Sequence, residues 1–145
     1  MTEINFRTEG DVSLSSLLAL YTAVGWAAYT RDECRADLTK AIDNSTFVVS
    51  AWDGTRLVGL ARVLSDDVSI CYVQDILVHP DYQRRGIGER MIQACLTRYA
   101  HVRSKVLMTD DEDRQRRFFE KMGFRDARTL TSATLNTFVQ MDGVD

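Results

Sequence analysis

Six consecutive residues, Gln83-Arg84-Arg85-Gly86-Ile87-Gly88, place two glycines and two arginines just ahead of a stretch with helical apolar spacing. Glycines remove side chains where a backbone must curl around a ligand. The first amides of a helix starting there lack internal partners and point outward as donors. Together with the helix dipole they form a seat for phosphate oxygens, and Arg84 and Arg85 add positive charge beside it. Spacing excludes two other nucleotide loops. The third glycine of a dinucleotide fingerprint would fall at Met91, and no Gly-Lys-Ser/Thr follows for a Walker loop. A glycine-containing helix start with a solvated arginine pair is the plain alternative.

The elements that must hold this loop follow from the surrounding pattern. Ile4 to Arg7 reads as a short strand. From Ser13, the apolar positions Leu14, Leu17, Leu18 and Tyr21 recur with helical spacing, and Gly25 ends that helix. An aromatic connector, Trp26-Ala27-Ala28-Tyr29, comes next. Thr30-x-x-Glu33 predicts a capping box opening a helix that ends near Asn44. Thr46 to Trp52, a β-branched and aromatic run, predicts a strand. Asp53-Gly54 is a hairpin turn signal, Arg56 to Ser65 the partner strand, and Ser69 to Val78 the next strand of a meander. Beyond the glycine loop a helix carries Ile87, Met91, Ile92, Cys95, Leu96 and Tyr99 on one face. Lys105 to Thr109 then reads as a short strand and Arg114 to Met122 as a helix stopped by Gly123. Phe124 onward returns to β structure, with Thr137 to Met141 as the final strand. Strand–helix–strand order around the loop implies parallel pairing through a right-handed crossover.

Composition fits this reading. The chain has 145 residues, 45% hydrophobic and 27% charged, enough for one compact domain over the whole length. A net charge of -3 and a pI near 5.4 argue against broad nucleic-acid binding. No apolar run reaches the ~20 residues that span a bilayer. Cys34, Cys71 and Cys95 form no C-x-x-C pattern, so reduced thiols in a cytoplasmic protein are expected. The two histidines, His79 at the strand exit and His101 in a loop, have no metal-ligand partners at useful spacing. No metal is expected.

The run Val73-Gln74-Asp75-Ile76-Leu77-Val78-His79-Pro80-Asp81-Tyr82-Gln83-Arg84-Arg85-Gly86-Ile87-Gly88 resembles the acetyl-CoA motif of the GNAT N-acetyltransferase superfamily. Phe118-Phe119-Glu120-Lys121-Met122-Gly123-Phe124 resembles its second signature at the expected distance. The resemblance implies an α/β (α+β) fold with a mixed, mainly antiparallel sheet of six to seven strands and about four helices. It implies transfer of acetyl from acetyl-CoA to a primary amine, with a small molecule as the expected acceptor and no nucleic-acid or membrane partner. A homodimer is left open, because dimers are common in such families. A non-catalytic acetyl-CoA sensor or partner-binding module is the alternative.

The resemblance also assigns roles. Ile76, Leu77 and Val78 would offer backbone to the pantetheine arm beside a bulge. Gln83, Arg84, Arg85, Gly86, Ile87, Gly88 and Glu89 would hold the pyrophosphate, and Arg114 would reach a phosphate. Gln74 and Asp75 fall where relatives carry acidic residues facing the cleft. Asp75 can bind an ammonium or take its proton through water, or it can pair with an arginine such as Arg62. Tyr72 is a second cleft candidate for catalysis, with core packing as its alternative. Trp26 and Tyr29, in the connector that roofs the acceptor site, can clasp an apolar or cationic amine, although Trp26 can equally anchor two helices. Phe119 replaces the tyrosine that protonates the departing thiolate in many members, so the general acid is unassigned.

Overall fold

The computed structural model describes residues 3–144. The chain divides into two compact units, Met1–Met108 and Thr109–Asp145. The first holds five strands: β1 (Ile4–Arg7), β2 (Phe47–Asp53), β3 (Arg56–Ser65), β4 (Ile70–Val78) and β5 (Ser104–Leu107). They lie in sequence order in one sheet. β1 to β4 pair antiparallel, and β4 pairs parallel with β5. Three helices cover it: α1 (Leu14–Ala23), α2 (Arg35–Asp43) and α3 (Ile87–Arg98).

Local chemistry explains most boundaries. Ser13 caps α1, its hydroxyl accepting from the Ser16 amide at 3.2 Å. Gly54, at φ +60°, turns β2 into β3, and Asp53 pairs across to Arg56. Between β3 and β4, Asp66 Oδ1 accepts from the amides of Val68, Ser69 and Ile70 at 3.0, 2.7 and 3.1 Å. The Ser69 hydroxyl and these amides hold the Asp66 carboxyl well below the usual carboxylate range.

β3 is central, and seven consecutive residues, Leu57 to Val63, are buried, because helices cover both faces. On one face Leu17, Leu20, Tyr21, Leu38 and Ile42 of α1 and α2 pack with Trp52, Leu57, Leu60 and Leu77. On the other face α3 sits close to the strand. A Cβ on Gly59 would lie 3.1 Å from Ile87 Cγ2 and 3.1 Å from Met91 Cε, so glycine there sets how near α3 approaches.

The second unit contains α4 (Asp113–Lys121). Gly123, at φ +96°, ends it, and the Phe124 amide returns to Phe119 O at 3.0 Å. Asp126 accepts from Arg128, which holds its carboxyl down at about 2.

Two expectations need correction. Thr30 does not open a capping box. It has φ -109° and ψ -7° and closes a 3₁₀ turn at Ala27–Tyr29, whereas an N-cap needs extended backbone. A second 3₁₀ turn, Asp32–Cys34, precedes α2, which starts at Arg35 without a side-chain cap. The sheet has five strands rather than six to seven. Among the described residues none follows α4, and Thr137 to Met141 is exposed, Phe138 at 91%. β-propensity records fit to a pleated, half-buried surface; with no partner edge the pattern yields no strand.

Candidate active site

The glycine loop stands where the sequence places it, between β4 and α3. A 3₁₀ turn, Pro80–Tyr82, leads out of β4. Arg84 then takes φ +65°, and Gly86, the residue preceding α3, takes φ +77° with no side-chain cap. These left-handed positions curl the backbone so that successive amides face one way. Among the described residues no backbone bond occupies the amides of Arg84, Gly86, Ile87 or Gly88. α3 runs twelve residues behind them, so its dipole adds to the same end. Arg85 lies over the Tyr82 ring at 5.1 Å and Arg90 over Phe6 at 4.2 Å. With Arg84 and Ile87 they line a cleft of about 460 Å³. The cradle fits a linked pair of phosphates. Glu89, in the first turn of α3, is exposed.

β4 supplies the second half of the site. Its pairing with β3 slips by one residue. Arg62 faces Asp75 and Val63 faces Val73, leaving Gln74 as a bulge. Its pairing with β5 stops at Val73 and Leu107, so from Gln74 to Val78 that edge takes no strand partner among the described residues. The His79 amide donates to Val58 O at 2.8 Å. By the antiparallel alternation, Leu77 then bonds toward β3, while Ile76 and Val78 turn their N–H and C=O to the open edge. Gln83 Nε2 donates to Val78 O at 3.2 Å on that side. The open edge thus offers Ile76 and Val78; the Leu77 backbone faces β3, and its side chain is core.

The bulge also governs Asp75. Asp75 is 4% exposed, and its Oδ2 accepts from Arg62 Nε at 2.5 Å and from the Tyr21 hydroxyl at 2.9 Å. Arg62 also reaches Ser45 Oγ at 3.4 Å and Ala41 O at 3.5 Å. Pairing with Arg62, weighed above as the alternative role for Asp75, is therefore what the geometry shows. Burial, and then the Asp75 charge, pushes the Tyr21 hydroxyl far above its ordinary value. No buried side-chain oxygen lacks a partner among the described residues, so Asp75 Oδ1, which has none, reaches accessible surface.

Around this pair stand aromatic rings. Trp26 and Tyr29 meet Tyr21 edge-on at 5.8 and 5.7 Å. Tyr72 is half-buried, and burial, the Asp75 charge and Tyr29 raise its pKa. Tyr72, Asp75, Trp26 and Tyr29 are thus brought together on the α1–α2 side of the sheet, with half-buried Gln74 at the bulge. Tyr21 and Arg62 belong to this cluster as well. Helical spacing marks Tyr21 as core, and only the hydroxyl separates it from the neighbouring leucines.

Arg114 and Phe119 lie on α4, in the second unit. Phe119 packs edge-on against Phe118 at 5.0 Å and Phe124 at 5.9 Å. The His79 side chain, at the exit of β4, is 14% exposed. Among the described residues no three His, Cys, Asp or Glu side chains are grouped to hold a metal, and no helix is long and apolar enough to cross a membrane.

Comparison with known proteins agrees with this geometry. Residues 17–143 match the acetyltransferase (GNAT) domain. The chain is 25% identical over 126 residues to the uncharacterized N-acetyltransferase ycf52 of Pyropia yezoensis, covering 84% of this chain and 70% of that protein. It superposes on the GNAT-family acetyltransferase SP0256 of Streptococcus pneumoniae TIGR4 with a TM-score of 0.82 and 29% identity, over 97% and 99% of the two chains. It shares its fold with AAC(6')-Iy, solved in complex with the bisubstrate analogue CoA-S-monomethyl-acetylneamine. The TM-score there is 0.71 and the identity 14%, over 97% of this chain and 99% of that one. The chain belongs to the GNAT family and is an N-acetyltransferase.

Proposed function

We propose that this enzyme moves the acetyl group of acetyl-CoA to a primary amine of a small molecule, by direct attack in a ternary complex. The observation that carries the reading is the joint geometry of the left-handed loop at Gly86 and the open β4 edge at Ile76 and Val78. Phosphates at the loop and an extended arm along the edge bring a thioester toward the bulge at Gln74. The fold neighbour bound to a CoA–acetylneamine analogue supports an amine as the acceptor. Free thiols at Cys34, Cys71 and Cys95 support a reducing, cytoplasmic setting.

An alkylamine with a pKa of ~10.4 is neutral in only about one molecule in a thousand at pH 7. In this reading Asp75 supplies field rather than a free base. Its buried charge, reaching the surface through Oδ1, draws the ammonium in, and Trp26, Tyr29 and Tyr72 wall the position. The surplus proton passes to water beside Oδ1. The amine nitrogen then attacks the carbonyl carbon, the C–N bond forms, the C–S bond breaks, and the second proton shed by the nitrogen replaces, through water, the one given to the thiolate. Backbone amides on the open edge face the developing oxyanion. The Tyr72 hydroxyl, protonated at neutral pH as any phenol is, can donate to the departing thiolate, the role that Phe119 leaves vacant.

The test is release of free thiol from acetyl-CoA against a panel of amines. Turnover with at least one amine, and a drop in kcat of about tenfold or more in Tyr72→Phe, is expected. Binding of acetyl-CoA with no amine-dependent thiol release would replace this reading with a sensor or partner-binding module.

A further inference from the structure

On the α1 face, a cavity of about 220 Å³ is lined by Ser15, Ser16, Ala19, Leu20, Arg56, Leu57 and His79. None of its polar groups takes part in the transfer chemistry above. His79 Nδ1 accepts the Asp81 amide at 3.1 Å. That bond leaves the ring proton on Nε2. Nε2 stands 3.0 Å from Arg56 Nη2, and a guanidinium nitrogen is donor only. Two N–H donors therefore converge with no acceptor between them. Arg56 takes no carboxylate among the described residues within ion-pair reach. The Asp81 carboxylate approaches the opposite ring nitrogen, its Oδ2 3.9 Å from Nδ1.

The opposite wall adds a donor. The Ser13 hydroxyl donates to Ser16 Oγ at 3.0 Å, leaving the Ser16 hydroxyl hydrogen for another acceptor. Ser15 Oγ lies 3.2 Å from Ser13 Oγ. The first turn of α1 carries no acidic residue, so the positive end of that helix has no countercharge of its own. Ser15 spends its own hydrogen on Ser13 Oγ, so a cation, a ring N–H and the Ser16 hydroxyl face one space.

We propose that Arg56, His79 and Ser16 form a second ligand site, for a small oxyanion group, carboxylate or phosphate, separate from the loop at Gly86. The oxyanion bridges Arg56 Nη2 and His79 Nε2 and accepts from the Ser16 hydroxyl. It braces the turn from Val78 to Gln83, because Arg56 also lies over the Tyr82 ring at 5.6 Å and His79 meets that ring edge-on at 5.8 Å.

The site is tested by following the His79 ring nitrogens by NMR while sodium acetate or inorganic phosphate is added at constant ionic strength. The expected result is an Nε2-protonated ring in the free protein and a saturable shift of Nε2 with one of the anions, which identifies the group bound. Arg56 is exposed at the first residue of its strand, so Arg56→Gln leaves the fold intact and weakens this binding at least about tenfold. An Nδ1-protonated ring in the free protein overturns the proposal, since Arg56 would then donate to Nε2 and nothing would be missing. So does the absence of saturation, or a response of equal strength in Arg56→Gln.

Discussion

Replacing Asp75 by asparagine isolates the buried charge pair. In the native protein one oxygen, Oδ2, accepts both Arg62 Nε at 2.5 Å and the Tyr21 hydroxyl at 2.9 Å. Asp75, Arg62 and Tyr21 are 4%, 6% and 0% exposed. Asparagine keeps an acceptor for Tyr21 but leaves the Arg62 guanidinium without its countercharge in a site with little water. Breaking a buried pair from one side costs about 3–5 kcal/mol, a large share of the ~5–15 kcal/mol that holds a domain together. With a urea dependence of about 2 kcal/mol per molar, the midpoint should fall by ~1.5–2.5 M. The matching control removes all three polar partners at once, as Tyr21→Phe, Arg62→Met and Asp75→Leu. Apolar groups of similar volume commonly replace a buried pair at little cost, so this variant should recover most of the loss. Urea unfolding followed by circular dichroism measures both. A loss below about 1 kcal/mol in Asp75→Asn, or a triple variant no more stable than the single, refutes the view of Asp75 as a buried anchor.

Two further outcomes follow from the loop and the core. Gly86→Ala forces a Cβ into φ +77°, a strain of about 1–2 kcal/mol; calorimetry should show coenzyme A bound about tenfold more weakly, and unchanged affinity would show that the curl does not hold the phosphates. Burial pushes the Cys95 thiol from 9.0 up to about 12, with Cys71 beside it, and raises Tyr21, Cys71, Tyr72 and Tyr99. Each of these groups stays neutral in the fold and ionises more readily when unfolded, so its contribution is complete below pH 9 and is lost as pH rises from 9 toward 12. Melting temperature should be flat through this range of groups below pH 8 and fall steadily above pH 9, and a constant value up to pH 11 would contradict the assignment.

What the sequence made legible was whatever depends on a few adjacent residues. Gly86 and Gly54 adopt positive φ because only glycine does so without strain, so the phosphate cradle and the hairpin show in the letters themselves. Ser13 begins α1 because its hydroxyl needs only the Ser16 amide, three residues on. Features set by distant neighbours stayed hidden. Thr30 carries the letters of a cap, yet the preceding turn had already taken its backbone. Thr137 to Met141 has the β-branched and aromatic residues of a strand, but propensity does not supply a partner. The contact of His79 with Arg56, 23 positions earlier, depends on the pairing of two strands. The acidic candidate at Asp75 was legible as a residue, while its immersion depended on Tyr21, 54 positions away.

The bulge at Gln74 ties these observations together. Ahead of it, Cys71 meets Cys95 of α3, so that part of the strand sends its buried side chains toward α3. Past it, Asp75 meets Tyr21 and Leu77 joins the α1–α2 core. One extra residue reverses the pleat, as a one-residue slip in register always does. Without it, Asp75 would point toward α3, away from Trp26, Tyr29 and the tyrosine that binds it. The same slip lies where pairing with β5 ends at Val73, freeing the edge that Ile76 and Val78 present. A single irregularity thus sets the charge on one face of β4 and lies where the edge beside it opens. In the proposed reaction the acceptor and the acyl donor approach the same short stretch of backbone from different sides, the geometry that direct transfer requires.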